Sequence, residues 1–93
     1  MANRINYNKV ISQANDIIGL ADDLSREISK LETLKNNICN NWAGPASEAF
    51  LKQLTQMIAD MKITKSNMTS VASSIKSAAN QIQQEDNTAN GSC

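Results

Sequence analysis

The stretch Asn40-Asn41-Trp42-Ala43-Gly44-Pro45-Ala46 lies near the middle of the 93-residue chain and decides its fold. Asn has a low helix propensity, and a cluster of Asn residues suits the end of a helix. Gly tolerates the dihedral angles of a turn, and Pro at the first position of a helix loses no intrahelical hydrogen bond. The stretch therefore predicts a turn between two helices. Glu48 adds a favourable negative charge to the first turn of the second helix.

Apolar residues repeat at alternating steps of four and three on both sides of this turn, which is the spacing of a heptad seam. Only Lys35 interrupts the first seam, and only Thr64 interrupts the second. Folding the chain at the turn brings the seams together in ten antiparallel layers that start with Trp42 against Phe50. The first seam consists of Val10, Ala14, Ile17, Ala21, Leu24, Ile28, Leu31, Lys35, Ile38 and Trp42, and the second of Phe50, Leu54, Met57, Met61, Thr64, Met68, Val71, Ile75, Ala78 and Ile82.

This pattern predicts one all-α domain, an antiparallel helix-turn-helix hairpin with helices of about 50 Å. We expect a short arm over 1–6, the first helix over 7–40, the turn over 41–45, the second helix over 46–84 and a flexible tail over 85–93. Two helices that touch along one line leave apolar surface uncovered, so we expect pairing into a four-helix bundle dimer. Several apolar residues widen the stripe beyond the seams, and Leu20 and Leu34 do so on the other side of the first helix. The candidate dimer interface consists of Ile11, Ile18, Leu51 and Ile58.

Composition argues against several classes of function. The chain has nine basic and nine acidic residues and no His. The basic residues form no cluster that could neutralise a run of phosphates, so nucleic acid is not an expected partner. The acidic residues are scattered and the chain has no His, so the composition does not favour an enzyme, and no cofactor is predicted. No metal site is predicted either, because two Cys alone cannot form a zinc site. Zero net charge without a basic face also argues against membrane contact.

Two further features concern covalent links and export. The second helix carries the chain about 48 Å from Cys39, and the residues after Ile82 can return at most about 40 Å. A disulfide between Cys39 and Cys93 within one chain is therefore not predicted, although a bridge between chains through Cys93 stays open. No apolar stretch has the length of a signal peptide or a membrane span. We therefore do not expect export by the general secretory route.

The Trp42-Ala43-Gly44 triplet, followed by Ala46, Ala49 and Phe50 and flanked by two seams, resembles the WXG-100 or ESAT-6-like family of bacterial type VII secretion systems. The resemblance implies a non-enzymatic hairpin that is made in the bacterial cytoplasm and secreted without a signal peptide. It also implies partners: a homodimer, or a heterodimer with another WXG-type protein or a toxin's N-terminal helical domain, and a secretion ATPase. Trp42 and Gly44 are the turn motif, in which Trp42 either closes the hairpin on Phe50 or serves as a recognition feature.

The same resemblance points to a candidate export signal. Many exported members carry, after the second helix, an aromatic residue or His four places before an acid. Here Asp86 supplies the acid and Ile82 stands at the aromatic position, although a seam residue and a solvated acid also account for the pair. We therefore expect export together with a partner that supplies the signal, as a substrate or as a targeting partner of an effector. The alternative is a cytoplasmic structural coiled-coil adaptor that is not exported.

Overall fold

Two long helices make up the hairpin. The computed structural model describes residues 5–42 and 44–91. Helix α1 spans Tyr7–Asn41 and helix α2 spans Pro45–Gly91, and they pack side by side in a rod of 74 × 16 × 15 Å. This confirms the predicted all-α hairpin, while the four-helix bundle dimer stays a prediction. Over the described residues, neither α1 nor α2 contains an apolar stretch that could span a membrane.

The start of α1 is fixed by a side-chain cap. Asn6 has an extended backbone, and its Oδ1 accepts a hydrogen bond of 3.2 Å from the backbone N–H of Lys9. This satisfies one of the donors that a helix leaves unpaired at its first turn. The helix therefore begins at Tyr7, as the sequence predicts.

The turn follows the predicted chemistry and differs by one residue at each boundary. Trp42 leaves the helix in an extended conformation, and its backbone N–H still donates to the Ile38 carbonyl at 2.9 Å. Gly44 has a φ of 116°, a left-handed conformation that Gly adopts without steric cost. Pro45 then opens α2, where its missing N–H removes no helical hydrogen bond.

The predicted end of the second helix at residue 84 is too early, because α2 continues to Gly91. Residues 83–90 include neither Gly nor Pro, so backbone hydrogen bonds propagate although no large apolar side chain is present. The first strong helix breaker is Gly91 itself. At 1.5 Å per residue, α2 is about 70 Å long, longer than the predicted 50 Å. Residues 1–4 of the predicted arm and residues 92–93 of the tail lie outside the described residues.

The predicted α1 seam is correct from Val10 to Ile38. Every residue of this seam is buried or half-buried, including Lys35. Trp42 is the exception, because it is 55% exposed at the end of the rod. The fully or nearly buried members are Ala14, Ala21, Ile28 and Ile38.

The predicted α2 seam is only half correct. Its residues Leu54, Met61, Met68, Ile75 and Ile82 do lie on the inner side, whereas the other five seam residues are exposed. The residue that follows each exposed one takes its place in the interface. This inner row turns Ala72 and Ala79 toward α1, and small side chains allow two helices to approach closely. The exposed residues are Phe50, Met57, Thr64, Val71 and Ala78, and the inner ones that replace them are Leu51, Ile58, Lys65, Ala72 and Ala79.

Large and small core residues occupy different halves of the rod. Near the turn, Ile28, Ile38, Leu54 and Ile58 form a buried cluster that four further apolar residues cover. Toward the open end, the most deeply buried residues are four alanines. The large buried side chains are therefore concentrated near the turn. The covering residues are Leu24, Leu31, Leu51 and Met61, and the alanines are Ala14, Ala21, Ala72 and Ala79.

Candidate functional site

A salt bridge between the helices identifies one side of the rod. The Nζ atom of Lys62 lies 3.4 Å from Oε2 of Glu32. In paired helices, residues seven apart follow the same side, so Ser25 on α1 and Thr69 on α2 belong to this side as well. Both line one groove together with Lys62, in agreement with that assignment. We call the side marked by Ser25, Glu32, Lys62 and Thr69 the polar face.

The opposite side carries exposed large apolar side chains, which we call the apolar face. Its residues are between 45% and 58% exposed, although each is large enough to serve in a core. On each helix they are spaced by seven or fourteen residues, so each helix presents them in one row. The two rows include no Lys or Arg. The apolar face consists of Leu20 and Leu34 on α1 and Phe50, Met57 and Val71 on α2.

The hairpin places these residues at matching levels along the rod. Trp42 and Phe50 contact each other at the turn, with ring centroids 6.0 Å apart and planes tilted by 38°. Counting residues along both helices away from this contact places Leu34 at about the same height along the rod as Met57, and Leu20 at about the same height as Val71. Both of these levels therefore present apolar surface from α1 and from α2. The polar residues Glu27 and Thr64 lie between the level of Leu34 and the level of Leu20.

The four residues predicted for the dimer interface lie elsewhere. Ile58 is only 6% exposed and belongs to the buried cluster, against which Leu51 also packs. Ile58 therefore belongs to the core of the hairpin, and its prediction as an interface residue is wrong. Ile11 and Ile18 are half-buried and share the row of Glu32, on the side of the polar face. Sequence reasoning placed Leu20 and Leu34 beyond the seam, but it missed the α2 part of the apolar face because it assigned Phe50, Met57 and Val71 to the seam.

The turn motif is held by hydrogen bonds and by one aromatic contact. The Gly44 carbonyl accepts the Ser47 hydroxyl at 2.7 Å and the Glu48 backbone N–H at 3.3 Å. Ser47 is buried, and its role was missed, although Ser in the first turn of a helix commonly bonds to nearby backbone. The predicted contact between Trp42 and Phe50 is present, yet both rings remain about half exposed.

The candidate export signal lies near the open end of the rod. Ile82 and Asp86 are both half-buried on α2, and Ile82 occupies a seam position. Close by, the Tyr7 hydroxyl donates to Oδ1 of Asn80 at 2.5 Å, which ties the start of α1 to α2. Packing in the seam thus accounts for Ile82, and a role for the pair in export stays a prediction. Cys39 is exposed near the turn, and Cys93 lies outside the described residues.

Comparison with known proteins assigns the hairpin to a family. Residues 3–87 match the WXG100 family model, described as proteins of 100 residues with WXG, so the match includes almost all of both helices and the turn between them. No curated protein and no solved structure is significantly similar to this chain. The matched region holds the Trp42-Ala43-Gly44 triplet at the hairpin turn, and the chain therefore belongs to the WXG100 family of small helical proteins associated with type VII secretion.

Proposed function

We propose that this protein acts by binding another helical protein through its apolar face, and that it is exported by type VII secretion as a substrate or as the targeting partner of an effector. The observation that carries the binding role is the pair of rows of exposed large side chains on one side of the rod, and the match to the WXG100 family supports the route of export. An apolar patch of this kind on a soluble protein commonly marks an interaction site. Covering it with a partner removes that surface from water, which favours association.

The shape of the apolar face favours a second hairpin as the partner. The level of Leu34 and Met57 and the level of Leu20 and Val71 each include a side chain from α1 and one from α2, so a single added helix in the middle would leave both edges uncovered. Two added helices would cover both rows and complete a four-helix bundle. Membership of the WXG100 family suggests three partners of this form: a second copy of this chain, another WXG-type protein or the N-terminal helical domain of a toxin.

Binding without catalysis agrees with the chemistry of the side chains. The chain has no His, and the described residues include no group of three acids, Cys or His that could hold a metal ion. General acid–base catalysis needs positioned groups at a substrate site, whereas most of the described charged side chains are exposed on the outside of a rod. We therefore propose a non-enzymatic protein whose partners are other helices and the secretion ATPase.

The association is tested by diluting the protein. Thermal unfolding followed by circular dichroism should have a midpoint that rises with protein concentration, because association stabilises the folded state by mass action. Light scattering should give the mass of a dimer at high concentration. A midpoint that stays constant from micromolar to millimolar concentration, together with a monomer mass, would contradict a homodimer and leave a different hairpin as the partner to be sought.

Export is tested in the native host. Deleting the gene of the candidate partner should remove the protein from the medium, whereas Asp86→Ala should leave export unchanged, because Ile82 and Asp86 form only half of the family's signal. The opposite pattern, with export lost only when Asp86 or the residues from Gln83 onward are altered, would mean that the chain carries its own signal. A protein that never reaches the medium would favour the cytoplasmic structural adaptor.

A further inference from the structure

The polar face has a feature that the apolar-face partner does not use. Two adjacent depressions of about 550 Å³ and 260 Å³ lie between the helices, and both are lined by Lys62. On α2 they extend from Thr55 to Thr69, which is about 21 Å of helix. They therefore form one elongated groove rather than a pocket for a small ion. The groove lies on the opposite side of the rod from the apolar face, so both sides can be occupied at once.

The groove combines an apolar floor with unpaired cations. Ile28 and Ile58 line its two parts and are almost fully buried. Lys65 and Lys35 are half-buried, one in each part, and among the described residues neither ammonium group has a carboxylate within salt-bridge distance. Only Lys62, between them, is neutralised by Glu32. The groove therefore offers two cations whose charge is not balanced locally.

Hydroxyl groups add hydrogen-bond donors along the edges of the groove. Thr69 and Ser25 donate to backbone carbonyls of their own helices, at 2.9 and 3.2 Å. Ser29 and Ser66 line the larger depression beside Lys65, and in the described structure their hydroxyl groups donate no hydrogen bond to a backbone carbonyl. A ligand with negatively charged oxygens would thus meet one ammonium group and two free hydroxyls in this part of the groove.

We propose that this groove binds an acidic helix of a partner protein, distinct from the hairpin that covers the apolar face. A furrow between two packed helices accepts the ridge of a third, and the length of the groove matches about four helical turns. The salt bridge places Glu32 and Lys62 at the same height along the rod. Lys35 lies one turn nearer to the hairpin turn than Glu32, and Lys65 lies one turn farther from it than Lys62. The two lysines are therefore about 9 Å apart along the rod. Carboxylates seven residues apart on one helix face are spaced by about 10 Å. Such a pair on the bound helix would neutralise both lysines.

A designed peptide tests this proposal with the full-length protein. The probe is a fluorescein-labelled, alanine-based helical peptide of about four turns with two glutamates seven residues apart, and the comparison peptide has glutamines instead. Fluorescence anisotropy should show that the glutamate peptide binds about five- to tenfold more tightly, as expected for two partly exposed ion pairs. The double variant Lys35→Gln/Lys65→Gln should lose this preference, whereas Lys35→Arg/Lys65→Arg should keep it.

The control variant is Lys9→Gln/Lys30→Gln, which removes the same charge from exposed positions outside the groove. It should leave the preference for the glutamate peptide intact. If the control variant lost the preference for the glutamate peptide to the same extent, net charge alone would explain the effect and the proposal would be overturned. Equal binding of the two peptides to the parent protein would overturn it as well. Binding of single-stranded RNA at the same site as tightly as the peptide would also overturn it, because the groove would then select any polyanion. A lower sedimentation mass of the free Lys35→Gln/Lys65→Gln protein would assign the groove to a second copy of the chain instead.

Discussion

Replacing Leu34 with Ala should weaken pairing through the apolar face without removing the hairpin. The change deletes three carbon groups, each worth about 0.8 kcal/mol when fully buried, or about 2.4 kcal/mol together. Leu34 is 47% exposed in the single hairpin, so roughly half of this free energy, about 1.1 kcal/mol, is left for a partner to provide. In a two-fold symmetric dimer both copies lose it, and the Kd should rise about fortyfold.

The matched control is Ile63→Ala. Ile63 is 60% exposed and lies on α2 outside the two rows of the apolar face, on the side away from α1. Sedimentation velocity over a dilution series should give a Kd close to that of the parent for this variant and a clear shift to monomer for Leu34→Ala. Equal weakening by both changes, or none by Leu34→Ala, would refute the assignment of the interface to the apolar face.

Four further outcomes follow from the turn and from α1. Gly19→Ala should stabilise the protein by about 0.5–1 kcal/mol, because Gly19 is helical and a Cβ there meets no other atom within 4 Å. Gly44→Ala has the same free space but a φ of 116°, so chemical denaturation should show a loss of about 1–2 kcal/mol; equal signs for the two glycines would contradict the described turn. Trp42→Ala should cost about 2 kcal/mol, below the 3–5 kcal/mol of a buried Trp, since Trp42 is 55% exposed. A double-mutant cycle with Phe50→Ala should assign about 0.5–1.5 kcal/mol of this to the ring contact, and a coupling near zero would show that the rings act independently.

The hairpin could be predicted from the sequence because several local signals agree. Gly44 and Pro45 end one helical pattern and start another, and the α1 seam from Val10 to Ile38 is in the interface as predicted. Where the seam contains small residues such as Ala14 and Ala21, the repeat alone identifies the inner side, since the neighbouring rows on α1 are less apolar. Agreement between turn chemistry and periodicity is what makes such a prediction secure.

The inner side of α2 could not be chosen in the same way. The row that starts at Phe50 and the row that starts at Leu51 each hold four apolar residues and one polar residue, Thr64 or Lys65. Counting apolar residues therefore cannot separate them. The choice depends on how closely the helices approach, and the alanines of the second row face α1 in the structure. This packing leaves the first row on the surface, so the same error hid the α2 part of the apolar face.

The equal apolar content of these two rows of α2 also explains why the hairpin is suited to pairing. One row of α2 packs against α1, and the other extends the apolar surface around the helix instead of ending at a polar boundary. The large buried side chains are concentrated near the turn, while the open half relies on alanines, which bury little surface each. A partner on the apolar face would add burial at Leu20 and Val71, level with that alanine-rich half. Pairing would therefore stabilise the part of the rod that its own core stabilises least, and folding of the open half would be coupled to the presence of the partner.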